Sequence, residues 1–348
     1  LKEKDEEAFF SLVSHIENLW STNQCEIIKC LKCTFIFSNP YVSGDAKFYN
    51  LAYPKPGYPS WKWEFEYSYR LLKKSKIQNP NVLEVGAGQG SFIEKISKRL
   101  IKKENIVCTE FSKYGREKIS KLGVRCFGDD IRDVKAEEIT ENFDYIFMFQ
   151  VLEHMDHLDR LFKVLVSMMK KHGNLIIAVP NDKWIEFNEL NGALLDMPPN
   201  HIGRWTKNSF KYLAEKNNLL IKEHKFEPFS FYKIILQFGH YRYLKNAQNN
   251  KSFANFIDSK YFKRYYKVIK YLAIFINIIK SFPLLFKNYR SVYGDSQIIL
   301  CEPLITTDAR IVPFQHVCST VKGNFPFQNR FSILFKASFI VASLNNYC

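Results

Sequence analysis

From about Asn81 to Pro180 the chain alternates short β-rich runs with helical stretches, and few architectures accommodate that rhythm. The runs are NVLEV (81–85), IVCTE (106–110), GVRCF (123–127), FDYIFMF (143–149) and NLIIAV (174–179), with helices predicted from Ser91, Ser112 and Asp156. Strand–helix alternation of this kind builds a parallel sheet with helices on both faces, so the expected fold class is α/β, a Rossmann-like doubly wound sheet. Local punctuation agrees. Gly86, Gly88 and Gly90 mark the first strand-to-helix junction, Ser112 can cap its helix, and Lys170-Lys171 followed by Gly173 reads as a helix C-terminus with its capping glycine. With 348 residues, 46% of them apolar and only 14 Gly, the chain can bury a sizeable core, which excludes disordered and collagen-like classes.

The turn after NVLEV, Gly86-Ala87-Gly88-Gln89-Gly90, lets the backbone approach a ligand closely while the next helix offers free N–H groups and the positive end of its dipole. Nucleotide-like cofactors use this arrangement; a tight turn that binds nothing is the competing reading. The dinucleotide fingerprint would need Gly at 91, where this chain has Ser, and the acidic Glu84 stands two residues ahead of the first Gly, which together argue against a nicotinamide-dependent oxidoreductase. The second strand ends in Glu110, where a carboxylate can accept from both hydroxyls of a ribose, or else cap the following helix. The third ends in Gly128-Asp129-Asp130, carboxylates placed either to accept from an adenine amino group or to form a turn, with Asp129 the better placed for adenine.

Taken in order, VLEVGAGQGSF, CTE, FGDDI, FDYIFMFQVLEHMDH and GNLIIAVPN resemble the successive motifs of the class I S-adenosylmethionine-dependent methyltransferases. The resemblance covers roughly residues 62–227, with 294–302 as the last strand. It implies a seven-stranded sheet whose last strand is antiparallel. It further implies contacts of Gly86, Ala87, Gly88 and Gly90 with the methionine moiety, ribose binding by Glu110 beside Phe111, adenine recognition at Asp129 and Asp130, and Gln150 in the cofactor pocket.

A sulfonium methyl is already activated, so transfer demands proximity, orientation and, for a protonated acceptor, a base. Candidate bases follow the fourth and fifth strands, at the carboxyl edge where open α/β sheets bind ligands: Glu153-His154 in QVLEHM, and His201 in PPNHIGRW. The competing reading for Glu153-His154 is a helix start or a pocket wall. Pro198-Pro199-Asn200-His201 with Trp205-Thr206 resembles a segment that precedes a helix in small-molecule members of this family, and Thr206 is the expected N-cap of that helix.

Residues 1–50 lack the βα rhythm and hold three of the eight Cys. Cys30-Leu-Lys-Cys33 followed by TFIFSNP resembles the second knuckle of the zinc ribbon that precedes the catalytic domain in many sugar and natural-product methyltransferases. A structural zinc site wants four ligands; this chain supplies Cys30 and Cys33, with Cys25 a weak third, so Zn2+ is expected only if the knuckle is completed. Eight scattered Cys otherwise point to free thiols and a cytoplasmic location. LKEKDEEAFF shows no signal-peptide pattern, and the most apolar window, Val268 to Phe286, is interrupted by Lys270, Lys280 and Pro283, so no transmembrane helix is expected.

The expected organisation is therefore a zinc-ribbon-like segment (1–50), a methyltransferase domain (51–227), an insertion (228–290), a last strand (291–303) and a tail of unassigned role (304–348). In the insertion 12 Lys/Arg face the single acid Asp258, and 17 of 63 residues are Phe or Tyr, so it carries most of the net charge of +15. Residues 258–281 have a basic amphipathic helical pattern that suits a lid, an anionic membrane surface at the inner face of the membrane, or nucleic acid, in that order. The partner expected is a small-molecule acceptor, a saccharide or a lipid-linked precursor. The alternatives are an RNA methyltransferase, from the charge, and a degenerate domain serving as an interaction or membrane-surface module.

Overall fold

The computed structural model of the chain describes residues 3–52, 61–134, 139, 142–190, 196–228, 230, 271–272, 275–276, 279, 294–304, 320–322 and 331–332. Helix α1 (Glu3–Trp20) leads into a hairpin of β1 (Gln24–Cys30) and β2 (Ile36–Asn39), followed by α2 (Ala46–Ala52). The α/β body begins with α3 (Trp63–Lys74), β3 (Val82–Val85), α4 (Ser91–Arg99), β4 (Ile106–Thr109), α5 (Lys113–Ser120), β5 (Arg125–Phe127) and β6 (Phe143–Phe149). It continues through α6 (Leu158–Met168), β7 (Met169–Pro180), α7 (Asp182–Leu190), β8 (Gly203–Arg204), α8 (Lys207–Lys216), β9 (Leu219–Phe226) and β10 (Ser296–Pro303). Two short strands follow, β11 (Thr320–Lys322) and β12 (Phe331–Ser332).

Seven strands form one sheet in the order β5-β4-β3-β6-β7-β10-β9. The pairs from β5 to β7 are parallel, whereas β10 runs antiparallel to both β7 and β9. This is the doubly wound sheet with an antiparallel last strand that the sequence leads one to expect. Every residue of β3, β4 and β6 is buried, as parallel strands covered on both faces require. Alternate side chains feed two cores: Leu83, Val85, Val107, Ile146 and Met148 face one, and Val82, Ile106, Cys108, Phe147 and Phe149 the other. In the second core Phe92 of α4 meets Phe147 and Phe149 edge-on, with ring centroids 5.1 and 5.0 Å away.

Caps place the helices. Ser112 Oγ accepts from the Gly115 N–H at 3.1 Å, and Thr206 with Ser209 forms a reciprocal capping box at the start of α8. The helix before β7 ends earlier than Lys170-Lys171-Gly173 suggests: α6 stops at Met168, and residues 170–173 belong to β7. The pairing of β6 with β7 shifts register there, and a Cβ at Gly173 would lie 2.8 Å from the Phe143 carbonyl oxygen, so this glycine serves an irregular strand and not a helix end.

The N-terminal elements have a small core of Leu12, Val13, Ile16, Trp20, Phe48 and Ala52. Their hairpin is joined to the α/β body by a second sheet, β11-β1-β2-β8, in which Ile36 pairs with Arg204 and Phe37 with Gly203. The insertion (228–290) and the tail (304–348) lie almost wholly outside the described residues; Tyr271, Leu272, Phe275, Ile276 and Ile279 are helical and exposed. Among the described residues no helix is long and apolar enough to cross a membrane.

Phe147 is fully buried between two layers of rings, and truncation leaves a cavity the aromatic neighbours cannot fill. Phe147→Ala is expected to cost about 3–5 kcal/mol of unfolding free energy, read as a lower denaturant midpoint at unchanged slope.

Candidate active site

A cavity of about 250 Å³ opens at the carboxyl ends of β3, β4 and β6. Its floor is the turn from β3 into α4. Gly86 has φ +71° and Gly90 φ +78°, and a Cβ at either would come within 2.5 Å of Val151 Cγ2 or 2.7 Å of Ile119 Cγ1. Only glycine fits this turn, and the space a side chain would take is left for a ligand. The Gly88 N–H donates to Glu110 Oε2 at 2.7 Å and the Ser112 N–H to Glu110 Oε1 at 2.8 Å, so two backbone donors hold the carboxylate at the cavity wall.

Glu84, Gly86, Ala87, Gly88, Glu110, Phe111, Asp129, Asp130 and Gln150 all line the cavity, which brings together the cofactor candidates read from the sequence; Gly90 lies behind it as the left-handed N-cap of α4. The two aspartates differ. The Asp130 carboxylate is occupied by Arg132, accepting from Nε at 2.8 Å and Nη2 at 2.7 Å, and the same guanidinium reaches Asp156 Oδ1 at 2.9 Å. The Asp130 carboxylate is thus engaged by Arg132, although the residue lines the cavity beside Asp129. Gln150 has φ +58° and directs Nε2 to Glu64 Oε1 at 3.3 Å.

Glu84 is 2% exposed, and its Oε2 has no hydrogen-bond partner. Burial, and then the nearby Glu110 charge, push its carboxyl well above the usual range. A glycine cradle, an anchored carboxylate and an orphaned acid facing the same space fit S-adenosylmethionine, whose amino, carboxylate and ribose groups supply the matching donors and acceptors.

His154, Tyr49 and Phe111 also line the cavity; Tyr49 stacks on Phe111 with centroids 6.1 Å apart and meets His154 edge-on at 6.0 Å. Behind them the segment 196–204 folds onto the short 3-10 turn at 152–154, where the Ile202 N–H donates to the Glu153 carbonyl at 2.9 Å. This brings the three candidates for acceptor chemistry together: His154 and His201 rings lie 4.7 Å apart, and one potential ligand atom from each of Glu153, His154 and His201 falls within 4.8 Å of the others. His154 Nδ1 is 2.5 Å from the Asn200 carbonyl oxygen, and burial pushes the ring down to about 3. For His201 burial lowers the pKa, but Asp196, 3.1 Å from Nδ1, more than offsets this and raises it. Glu153 is 1% exposed with neither oxygen hydrogen-bonded, and burial moves it up to about 7.

Sequence reading missed Tyr49, Lys62, Phe65, Glu64 and Asp196. Glu64 sits in WKWEFEYSYRLL as one acid among two in an amphipathic helix, and nothing in that pattern tells the buried acid from the half-buried Glu66. The Cys30/Cys33 expectation is corrected. The pair forms a tight knuckle turn, with the Cys33 N–H directed at Cys30 Sγ at 3.5 Å, but Cys30 is disulfide-bonded and its sulfur is not available as a thiolate ligand. Cys25 and Cys33 are both buried and neither forms a disulfide.

Residues 65–224 match a family model described as a methyltransferase domain. Among solved structures, coclaurine N-methyltransferase bound to N-methylheliamine and S-adenosylhomocysteine is 14% identical, covers 84% of this chain and 88% of its own, and has a TM-score of 0.46. A SAM-dependent methyltransferase from Archaeoglobus fulgidus is 17% identical over 68% of this chain and 91% of its own, at TM-score 0.40. The O-methyltransferase from a trans-AT PKS multienzyme of Brevibacillus brevis, in complex with S-adenosylhomocysteine, is 13% identical over 69% and 71%, at 0.40. Comparison with curated protein sequences gives no match. The matched segment thus reads as a methyltransferase domain, carried on a seven-stranded Rossmann-like sheet.

Because the folded-state pKa of Glu84 is raised, its contribution to stability is full below its unfolded pKa of about 4.5 and is lost as pH rises toward the folded value. Glu84→Gln, which mimics the protonated acid, is expected to match the parent protein at pH 4 and to melt at progressively higher temperature than the parent from about pH 5 upward. Parallel melting curves that keep a constant offset across this range would contradict the assignment.

Proposed function

We propose that the chain transfers the methyl group of S-adenosylmethionine to a small-molecule acceptor of the saccharide or lipid-linked-precursor class. The observation that carries this reading is the continuity of one cavity from the Gly86–Gly90 turn and Glu110 to His154. When bound, S-adenosylmethionine supplies a methyl carbon already activated by its sulfonium. The chain's own residues then have three tasks: to hold the donor, to orient the acceptor and to manage the acceptor's proton.

Holding would fall to the glycine turn at the methionine end, to Glu110 at the ribose and to Asp129 at the adenine, with Gln150 in the wall of the same pocket. Glu110 is suited to ribose because backbone N–H groups fix both its oxygens while a second lone pair on each remains for hydroxyl donors. Orientation falls to Tyr49, Phe111 and Met155, whose largely apolar surfaces narrow the cavity and exclude water from the line of displacement. The acceptor's lone pair forms the new bond to carbon as the carbon–sulfur bond breaks and its electron pair returns to sulfur. The acceptor's proton leaves on the side of Glu153, His154 and His201. The resemblance of 198–206 to small-molecule members supports the acceptor class.

Removing the Glu110 carboxylate leaves two backbone donors unpaired and a ribose without its partner, so Glu110→Ala is expected to weaken S-adenosylhomocysteine binding about 10- to 100-fold by calorimetry. Incubating the intact chain with S-adenosylmethionine and, separately, nucleotide-linked sugars, lipid-linked saccharides and RNA tests the acceptor class by S-adenosylhomocysteine release. Turnover on RNA alone, or no calorimetric binding of either adenosyl compound, would overturn the reading.

A further inference from the structure

Among the described residues, Glu153 is 1% exposed and its carboxylate is buried with both of its oxygens lacking a hydrogen-bond partner. Buried carboxylates are ordinarily satisfied by donors or by a cation, and an exception calls for a physical cause. Two imidazoles converge on the same spot, with one potential ligand atom from each of the three residues within 4.8 Å of the others. Ligand atoms around a tetrahedral cation with bonds of about 2.0–2.2 Å sit roughly 3.4 Å apart, so a small contraction closes the set.

The surroundings prepare both rings for ligation. His154 Nδ1 lies 2.5 Å from the Asn200 carbonyl oxygen, which can only accept, so Nδ1 carries the proton and Nε2 keeps its lone pair. His201 Nδ1 is 3.1 Å from Asp196 Oδ1, off the ideal hydrogen-bond line but in the arrangement by which a carboxylate holds a ligating imidazole in the tautomer with Nε2 free. Asn200 and Asp196 are themselves buried, at 3% and 9% exposure. Resting on the reading of the adjoining cavity as the S-adenosylmethionine site, we infer that Glu153, His154 and His201 form a binding site for a divalent transition-metal cation.

Two imidazoles and one carboxylate suit Zn2+ or its neighbours in the first transition row better than Mg2+ or Ca2+, which take oxygen ligands. Three protein ligands leave a coordination position open beside His154, the ligand that lines the cavity. A hydroxyl bound there is acidified by the cation, releases its proton to solvent and is held beside the methyl carbon. This narrows the acceptor to one with a hydroxyl, making the product an ether by O-methylation. The disulfide at Cys30 removes the competing thiolate site from consideration.

The test uses the full chain, stripped of metal with a chelator and titrated with Co2+. Binding of a single Co2+ with visible ligand-field absorption and no thiolate charge-transfer band is expected, with Zn2+ displacing it and Mg2+ failing to. Glu153→Gln and His201→Gln are each expected to weaken Co2+ binding at least about tenfold, and Asp196→Asn, which only orients His201, by about 10- to 100-fold. Cys33→Ser is expected to bind Co2+ as the parent does. Calorimetry with S-adenosylhomocysteine on the same samples separates the two readings: loss of adenosyl binding in the parent condemns the cavity assignment, whereas intact adenosyl binding without Co2+ binding condemns the metal site alone. A thiolate band, or Co2+ affinity unchanged in Glu153→Gln and Asp196→Asn, would also overturn it. Should Glu153→Gln fail to fold, the parent spectrum and Asp196→Asn still decide.

Discussion

Burial of β3, β4 and β6 on both faces governs where this protein can place polar chemistry. Inside such strands each side chain lies among hydrocarbon, so carboxylates and amides come where the strands end and water or a ligand can meet them. Glu110, Gln150 and Asp129 all follow a strand's carboxyl end, and all three line the same cavity. At the opposite edge Asp144 is tolerated because the Asn81 N–H at 2.8 Å and Lys170 Nζ at 2.7 Å satisfy it. Glu84 breaks the pattern inside β3, where burial and the nearby Glu110 charge push its carboxyl well above the usual range.

The acceptor side depends on a different kind of constraint, a pairing between segments far apart in the chain. The N-terminal hairpin docks β2 on β8, Thr34 Oγ1 meets Thr206 Oγ1 at 2.6 Å, and Phe35 packs on Trp205 with centroids 4.5 Å apart. The Tyr41 hydroxyl donates to the Met155 carbonyl at 2.7 Å, and burial pushes its pKa up, which keeps it a donor. Arg132 then ties Asp130 to Asp156, bracing the loop after β5 against the turn that carries Glu153 and His154. The first fifty residues thus act as a scaffold for His201 and its neighbours, whatever else they do.

Much of the fold was legible because it is local. The βα rhythm, the glycine turn and the caps at Ser112 and Thr206 each depend on a few consecutive residues, and the structure realises all of them. The end of α6 was misread for a related reason: Lys170-Lys171 and Gly173 suit a helix terminus locally, yet the pairing of β7 with β6 claims those residues for a strand. That Arg132 takes the Asp130 carboxylate is not visible in the neighbouring pair Asp129-Asp130 and appears only in the folded chain. Cys30 and Cys33 form a tight turn, while the bonding of the Cys30 sulfur depends on a contact no local spacing reveals.

By itself the sequence determined the sheet, the glycine cradle and the carboxylate that faces it, because hydrophobic period, positive-φ turns and strand ends are properties of short segments. Only the tertiary structure decided which acids are buried without partners and which histidines converge. Glu84 and Glu153 stand out along the chain only by their place beside the glycine turn and at the sheet edge, and Glu64 only as one of two acids in a helix. Their burial arises where α3, β3 and the 196–204 segment close over one another, and the chemistry of a carboxylate is set by the water it loses and the partners it finds.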